Sequence, residues 1–393
     1  MISISAFTAL RAEGDGGPFD DGDEGGGGFF NVAKKMPKCK GKKLYSTLPV
    51  DLEDLDYIEP LGGFSPPSHV FPVKHNYFYM KRTDPDDSNS AAVETTLFAP
   101  TDLTISRMVS NEYHESGRTD YSINYAVCKQ VSGYFYHVAT LSEAIAEEFD
   151  NNENKRCSEF SPGGDTRTEC VANGISIKVK AGDAIGQVGG DAVYASFDFG
   201  TSDKRKKSKF VNKKRWGRDK NVVCPLDYFD SDNKASLEEF LGNGSIARTV
   251  EPLCGSNNLD LKRTAQGNWI LEGESDILLE DPHLALIYDN IDPSIGIVSM
   301  GDSLEDQGMV SSEYTFEPEA SGTINRNFAD VTADGQIYCY EINNRFPRET
   351  TTESHVLGIQ LVDKLTLKVE KLSNASCSDG ELGFSDTAVI FER

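Results

Sequence analysis

Apolar and polar residues alternate at every second position along much of the chain, and this pattern predicts β-strands. The stretch GDAIGQVGGDAVYASFDFG at 182–200 shows it most clearly. Its second half alternates two sets of residues, Val193, Ala195, Phe197 and Phe199 with Tyr194, Ser196 and Asp198. Glycines in its first half are typical of turns, because glycine adopts a positive φ without strain. We therefore predict two short strands joined by glycine turns.

Further strands follow from the same pattern in the first half of the chain. The stretch 93–109 predicts two strands separated by a turn, and the stretch 121–136 predicts two more. Two short helices are predicted between strands. One opens at Thr140, since Thr140 and Glu143 have the spacing of a capping box. The other takes Ser236 as its N-cap.

Short alternating segments with turn signals roughly every 8–12 residues fill the second half of the chain. Such spacing is typical of an antiparallel sandwich or barrel. Gly267-Asn268-Trp269 has the G-x-W form seen on the first strand of lipocalin-like barrels, and a tryptophan in any apolar core is the alternative interpretation. The chain is therefore expected to be mainly β.

Composition divides the chain into four regions. These are an extended acidic, glycine-rich arm at 1–50, a β domain at 51–225, a linker with a short helix at 226–249, and a β sandwich or barrel at 250–393. The arm contains GDGGPFDDGDEGGGG and has too few apolar residues to form a core. It is expected either to be disordered or to gain order by adding a strand to a neighbour's sheet edge.

The charge balance is strongly acidic. The 393 residues carry a formal net charge of −24 with a pI near 4.6, which argues against general nucleic-acid binding. No apolar run reaches the roughly 18 residues of a membrane span, so none is expected. The run 204–220 departs from this balance, because ten Lys and Arg residues against one Asp give it a net charge of +9. It is either a solvated loop or a patch for an anionic polymer or another subunit's acidic arm, so residues 1–50 and 204–220 are candidate contacts of a homo-oligomer.

The eight cysteines form no C-x-x-C pair and no zinc-finger spacing. Cys157 and Cys170 bracket a polar Gly/Pro loop and are expected to form a local disulfide. Cys128 and Cys224 are the candidates for a second one. The alternative is a cytosolic protein with eight buried thiols.

Familiar catalytic motifs do not occur in this sequence. Asp198-Phe199-Gly200 lacks the other motifs of a kinase, and neither G-x-S-x-G nor H-E-x-x-H is found. Four of the six histidines have no neighbouring residues of ligand type, whereas His75 and His137 lie in aromatic strand patterns.

The order of segments around these two histidines resembles that of the lysostaphin-like zinc endopeptidases, which cleave peptidoglycan crosslinks. His75 on an aromatic strand is followed by LFAPTDLTISRMV, GYFYHVATLS, IKVKAGDAIGQVGG and YASFDF. The resemblance covers roughly residues 69–200 and implies the all-β duplicated hybrid motif fold. Nothing in the second half resembles this family. The expected architecture is a duplicated hybrid motif domain followed by an antiparallel sandwich or barrel.

The resemblance also implies that the active site is degraded. His75 stands at the first zinc-ligand position, but Tyr79 replaces the ligand Asp and Ser196 replaces the third ligand. His137 stands at the position of a catalytic His that stabilises the oxyanion, and Tyr194 replaces the His that acts as a base. Catalytic zinc needs about three protein ligands. No metal, cofactor or catalytic residue is therefore expected, and His137 and Tyr194 are remnant catalytic positions.

The function expected from these features is that of a non-catalytic, extracytoplasmic protein, either secreted, periplasmic or on the cell surface. It would bind a cell-envelope polymer or glycan in a remnant groove, because aromatic faces suit stacking on sugars or peptides. The predicted groove residues are His75, Tyr77, Tyr79, Tyr136, His137, Tyr194 and Ser196. One alternative is a structural subunit of an extracellular assembly or filament joined by the N-terminal arm. The other is a zinc-dependent peptidoglycan endopeptidase.

Overall fold

A computed structural model describes residues 32–161, 166–213, 215–217, 219–275, 279–345 and 353–393. Most of the regular structure is β, which confirms the expected fold class. The strands are β1 (Leu55–Glu59), β2 (Asn76–Met80), β3 (Thr95–Phe98), β4 (Leu103–Tyr113), β5 (Arg118–Ala126), β6 (Val131–Val138), β7 (Thr140–Leu141), β8 (Arg156–Phe160), β9 (Arg167–Val179), β10 (Ala184–Val188), β11 (Ser196–Asp203), β12 (Val222–Val223), β13 (Gly267–Leu271), β14 (Leu284–Tyr288), β15 (Gly296–Met300), β16 (Ser312–Phe316), β17 (Tyr338–Asn344), β18 (Ser354–Leu361), β19 (Thr366–Lys371) and β20 (Val389–Glu392). Two helices of eight residues are described, α1 (Glu143–Asp150) and α2 (Ser231–Glu238), and residues 32–35 are also helical. Single 3-10 turns lie at Asp219–Asn221, Pro225–Tyr228, Glu305–Gln307 and Phe328–Asp330.

The first domain consists of two antiparallel sheets. The larger has nine strands in the order β1-β2-β11-β6-β5-β4-β9-β8, with β12 beside β11, and the smaller has the order β3-β10-β7. One apolar cluster contains Phe135 and Phe197 of the large sheet together with Leu97 and Ile185 of the small sheet. Because successive side chains of a strand point to opposite faces, the large sheet also presents a second face, which carries the candidate site.

The second domain is a closed barrel in which each strand from β13 to β20 pairs with the next and β20 pairs with β13. Of the two predicted architectures, a sandwich or a barrel, the barrel is confirmed. Its interior is filled by buried side chains, and two buried tyrosine hydroxyls bond to the backbone. The Tyr314 hydroxyl donates to the Val310 carbonyl at 2.7 Å, and the Tyr340 hydroxyl donates to the Arg326 carbonyl at 2.8 Å.

Trp269 of the G-x-W motif lies on the first barrel strand and is fully buried in the core. The Arg393 guanidinium stacks over its ring, 4.1 Å from the centroid, and donates to the carbonyls of Gln266, Leu261 and Thr264. Gly267 has a φ of 134°, and a Cβ at this position would come within 2.7 Å of Arg393 Nη1. Glycine is therefore required where the arginine crosses the tryptophan.

A smaller apolar cluster joins the two domains. Phe71, from the loop between β1 and β2, packs with Phe210 and Trp216 of the basic run against the outer barrel residues Ile270 and Ile287. Two buried aromatic rings of the basic run therefore pack against the barrel. A fully solvated loop, one of the two predictions for this run, would not bury them.

The start of each helix differs from the prediction. Thr140 and Leu141 form β7, which pairs with β10, so strand pairing overrides the capping-box spacing and α1 begins at Glu143. In α2 the N-cap is Asp230, whose carboxylate accepts from the Asn233 amide at 3.0 Å, and Ser236 lies inside the helix. No helix among the described ranges combines the length and apolar character that a bilayer crossing requires.

All eight cysteines are in disulfides, so the alternative of buried thiols is wrong. The predicted pair Cys157–Cys170 is confirmed, but the predicted pair of Cys128 with Cys224 is wrong. The other three bonds are Cys39–Cys128, Cys224–Cys254 and Cys339–Cys377. Sequence spacing identifies the local pair only, because the others join segments that meet through the fold.

Most of the predicted arm, residues 1–31, lies outside the described residues. The remainder, 32–50, belongs to the first domain. Its Tyr45 side chain is fully buried, and the amides of Leu44 and Tyr45 both donate to the Tyr228 carbonyl. The predicted arm therefore includes a segment that packs as part of the domain.

Candidate functional site

The predicted groove residues come together on the second face of the large sheet. His75 directly precedes β2, and Tyr77 and Tyr79 follow on the same side of that strand. Strand β11 places Ser196 opposite Tyr79 and Asp198 opposite Tyr77. On its other edge Asp198 pairs with Tyr136 of β6, while His137 and Tyr194 stack on each other beside these strands, with ring centroids 4.3 Å apart. All seven predicted residues are thus near one another.

Ring contacts run across this surface, which we call the aromatic face and define as Tyr57, Tyr77, Tyr79, Tyr134, Tyr136 and Tyr194 with His75 and His137. Tyr57 stacks on Tyr79 with centroids 4.3 Å apart, and Tyr134 stacks on Tyr136 at the same distance. The edge of Tyr77 meets His75 at 4.6 Å. Tyr57, Tyr77, Tyr79, His137 and Tyr194 are half-buried, whereas His75, Tyr134 and Tyr136 are buried. The half-buried rings are the ones a ligand can reach.

A chain of carboxylates and imidazoles lies beneath these rings. Asp198 Oδ2 is 3.2 Å from His75 Nε2 and 3.7 Å from His137 Nε2. The other ring nitrogen of each histidine has its own partner: His137 Nδ1 lies 3.1 Å from Asp120 Oδ2, and His75 Nδ1 lies 3.1 Å from the Tyr134 hydroxyl. Both imidazoles are therefore held in fixed orientations by side chains from three strands.

Burial determines the protonation of His75. Desolvation, with the nearby His69, His137 and Lys74, holds its pKa well below the usual value, so the ring is neutral at pH 7. Asp198 is only 1% exposed. A buried carboxylate between two imidazoles is an arrangement that packing alone does not require, and such groups are concentrated at functional sites.

His137 has a φ of 59°, in the left-handed region that a non-glycine residue rarely adopts. The pairing of β5 with β6 shifts register between Tyr121 and Ile123, directly opposite this position. The irregularity turns the imidazole toward Asp120 and Tyr194. Backbone strain of this kind costs about 1–2 kcal/mol, and it is tolerated here where the side chain is held on both sides.

Tyr194 is held from the opposite side by Arg118. The guanidinium lies 3.9 Å from the centre of the Tyr194 ring and 4.6 Å from that of Tyr113. Burial, with the nearby Tyr113 and Asp120, raises the pKa of Tyr194. Its hydroxyl therefore stays protonated and can donate a hydrogen bond to a ligand.

The two positions that the resemblance assigns to lost zinc ligands are occupied by weak donors. Burial and Glu59 raise the pKa of Tyr79, so its phenol is neutral, and Ser196 supplies only a hydroxyl. Zinc prefers imidazole, thiolate or carboxylate. Within the described ranges, no three His, Cys, Asp or Glu side chains are grouped so that they could hold a metal ion.

The barrel supports the loop that leads into His75. The amide of Phe71 donates to Glu280 Oε2 at 2.8 Å, and its ring stacks on His283 with centroids 5.3 Å apart. Lys74, next to His75, forms an ion pair with Asp219 at 3.0 Å. Burial raises the pKa of Glu280 to about 7. The second domain thus fixes one end of the aromatic face.

Sequence reasoning missed several residues of the site. Asp198 alternates with the predicted residue Ser196 on β11, and Tyr134 alternates with the predicted residue Tyr136 on β6. The same period-two pattern could therefore have indicated both. Tyr57, Asp120 and Arg118 reach the site through strand pairing and a local register shift, which leave no signal in the sequence. Searches of protein families, curated proteins and solved structures return no match to this chain.

Proposed function

We propose that this chain is a non-catalytic extracytoplasmic protein that binds a cell-envelope glycan or peptidoglycan on its aromatic face. The observation that carries the proposal is the continuous set of ring contacts from Tyr57 to Tyr136, with the Tyr194–His137 stack beside it. Aromatic rings with a polar tip suit ligands that are apolar on one face and hydroxylated at the edge, as sugars are. The half-buried rings supply the apolar surface.

The absence of catalysis is inferred from the donors at the positions that the resemblance assigns to a metal. A protonated Tyr79 phenol and the Ser196 hydroxyl are poor substitutes for charged or imidazole ligands. The register that sets these two residues opposite each other supports the proposed relation to the lysostaphin-like fold. A zinc endopeptidase would need a different set of ligands.

The extracytoplasmic location is inferred from the cysteines. Four intramolecular disulfides account for all eight of them, and such bonds persist mainly in oxidising compartments. This location would bring the aromatic face into contact with envelope polymers.

Co-sedimentation with purified peptidoglycan sacculi tests the proposal. Tyr194→Ala is expected to weaken binding about tenfold, equivalent to one lost stacking contact. Tyr194→Phe keeps the ring and is expected to retain most of the affinity. Tyr288→Ala with His355→Ala removes one half-buried tyrosine and one half-buried histidine from the barrel and is the matched control for Tyr194→Ala with His137→Ala.

Equal binding by the aromatic-face and barrel double variants would contradict the proposal. Release of soluble peptidoglycan fragments by the wild-type protein would instead establish the hydrolase. Circular dichroism of each variant confirms that any loss of binding is not a loss of fold.

A further inference from the structure

Two basic stretches of the chain, far apart in sequence, form one surface in the structure. Residues 32–50 contain six lysines and no acidic residue, and residues 204–209 contain four lysines and Arg205. The turn between β5 and β6 lies between them and contributes Lys129. This concentration of positive charge stands out on a chain with a net charge of −24.

The β5–β6 turn holds both stretches. Cys128, at the start of the turn, is disulfide-bonded to Cys39, and the Lys129 amide donates to the Pro37 carbonyl at 2.9 Å. On the other side, the Lys204 amide donates to the Gln130 carbonyl at 2.9 Å. Covalent and backbone contacts therefore fix both lysine-rich segments to one rigid hairpin.

Arg205 connects the two stretches directly. Its Nη1 donates to the Gly41 carbonyl at 2.8 Å, while Nε and Nη2 donate to the Asp203 carboxylate at 2.9 and 2.8 Å. The Tyr228 hydroxyl donates to the same carboxylate. Since the charge of Arg205 is already matched by Asp203, its role is to position the lysines around it.

We call this surface the lysine face. Its members are all exposed: Lys34, Lys35, Lys38, Lys40, Lys42, Lys43, Lys129, Lys204, Lys206, Lys207 and Lys209. The ten lysines other than Lys204 form no ion pair with an acidic side chain in the described part of the chain. We propose that the lysine face binds a flexible anionic polymer that carries a phosphate or carboxylate on each repeat.

The composition of the face favours a flexible polymer over a nucleic acid. The contributing segments 34–43, 129–130 and 204–209 contain no aromatic residue on which a base could stack. Lysine ammonium groups act as mobile point charges and impose no fixed geometry on the anion. Repulsion from the acidic remainder of the protein also disfavours a stiff duplex that would extend beyond the face.

The lysine face and the aromatic face lie at opposite ends of β6. Gln130 precedes the strand and His137 is near its end, so they are seven positions apart along the strand, a distance of about 20 Å. The inference is therefore independent of the proposed function, because a different surface and a different interaction carry it.

Binding of long-chain inorganic polyphosphate and of polygalacturonate, measured at low salt, tests the inference and separates phosphate from carboxylate recognition. Four phosphate contacts would weaken binding about 50-fold for a fourfold rise in salt concentration. Lys40→Gln, Lys42→Gln, Lys206→Gln and Lys207→Gln combined are expected to lower affinity at least tenfold and to flatten this salt dependence. Lys81→Gln, Lys178→Gln, Lys262→Gln and Lys364→Gln combined have the same net charge and should bind like the wild type.

Arg205→Gln is expected to weaken binding even though it leaves every lysine in place, because the two stretches lose their shared contact. Equal losses in the two quadruple variants, or no binding to either polymer, would overturn the inference. Tighter binding of single-stranded DNA through the same lysines would identify a nucleic acid as the partner instead. Self-association that the face variant abolishes, seen by sedimentation without polymer, would identify a second copy.

Discussion

The barrel interior and the aromatic face differ in the partners to which their buried polar side chains bond. In the barrel, Tyr314, Tyr340 and Trp269 each donate to a backbone carbonyl, and most of the other interior side chains are apolar. Such bonds satisfy a buried donor and favour one packing arrangement.

On the aromatic face, buried polar side chains pair with one another. Asp198 lies between His75 and His137, and Asp120 holds the second imidazole. A network of this kind is sensitive to the loss of any one member, and its groups can respond to a ligand. This contrast is the reason that we place the proposed binding site on the first domain and not on the barrel.

Trp269→Ala is expected to have the largest effect on stability. It empties the centre of the barrel and removes the ring over which Arg393 stacks, so we expect a loss of about 3–5 kcal/mol in the free energy of unfolding. Chemical denaturation checks this, with the exposed Ile246→Ala as the control. A loss below about 1 kcal/mol would show that the barrel core does not depend on this contact.

Asp198→Asn tests the network of paired side chains on the aromatic face. Replacement of the buried carboxyl group between two imidazoles by an amide is expected to cost about 1–3 kcal/mol, and it should also weaken binding on the aromatic face. Denaturation and sacculus binding are both measured, with the exposed Asp386→Asn as the control. Full stability together with full binding would mean that this network is not part of the site.

The domain interface gives a prediction about pH. Glu59 of the first domain accepts from Asn290 at 3.2 Å, and Arg345 pairs with Asp289 and Glu313 of the barrel. Burial raises the pKa of Glu59 to about 7 and that of Glu313 to about 8. These two carboxyl groups therefore bind more protons in the folded protein than in the unfolded chain between about pH 4.5 and these values.

The contribution of these two groups to the free energy of unfolding should consequently fall by a few kcal/mol as the pH rises from about 5 to 8. Glu59→Gln removes one of these carboxyl groups and should flatten the profile, whereas the exposed Glu381→Gln should not. Thermal unfolding of the wild type and of both variants across this pH range measures these differences. If the stability of the wild type relative to that of Glu59→Gln increased toward pH 8, the raised pKa of Glu59 would be contradicted.

The smallest expected difference is between two substitutions of His137. Both lose the imidazole, but glycine accepts a φ of 59° without strain and alanine does not. His137→Gly should therefore be more stable than His137→Ala by about 1 kcal/mol in denaturation experiments. The reverse order would indicate that the backbone relaxes at this position and that no strain is stored there.

Regular alternation allowed the mainly β fold and the barrel alternative to be predicted, because a half-buried strand imposes period two on its own residues. The seven predicted groove residues lie near one another, because five of them lie on β2, β6 and β11 while His75 and Tyr194 lie one and two residues before β2 and β11. Contacts between segments that are distant in the sequence could not be predicted from it. The disulfide between Cys39 and Cys128, the strand pairing that takes Thr140 from a helix, and the approach of Asp120 to His137 all depend on segments that only the fold brings together.

Hydrogen exchange of the wild-type protein with and without soluble peptidoglycan fragments tests the central claim most directly, because it reports on both domains in one experiment. If the aromatic face is the site, amides of β2, β6 and β11 gain protection while those of β13 to β20 do not change. Protection confined to the barrel strands, or none at saturating ligand, would contradict the assignment of binding to the first domain.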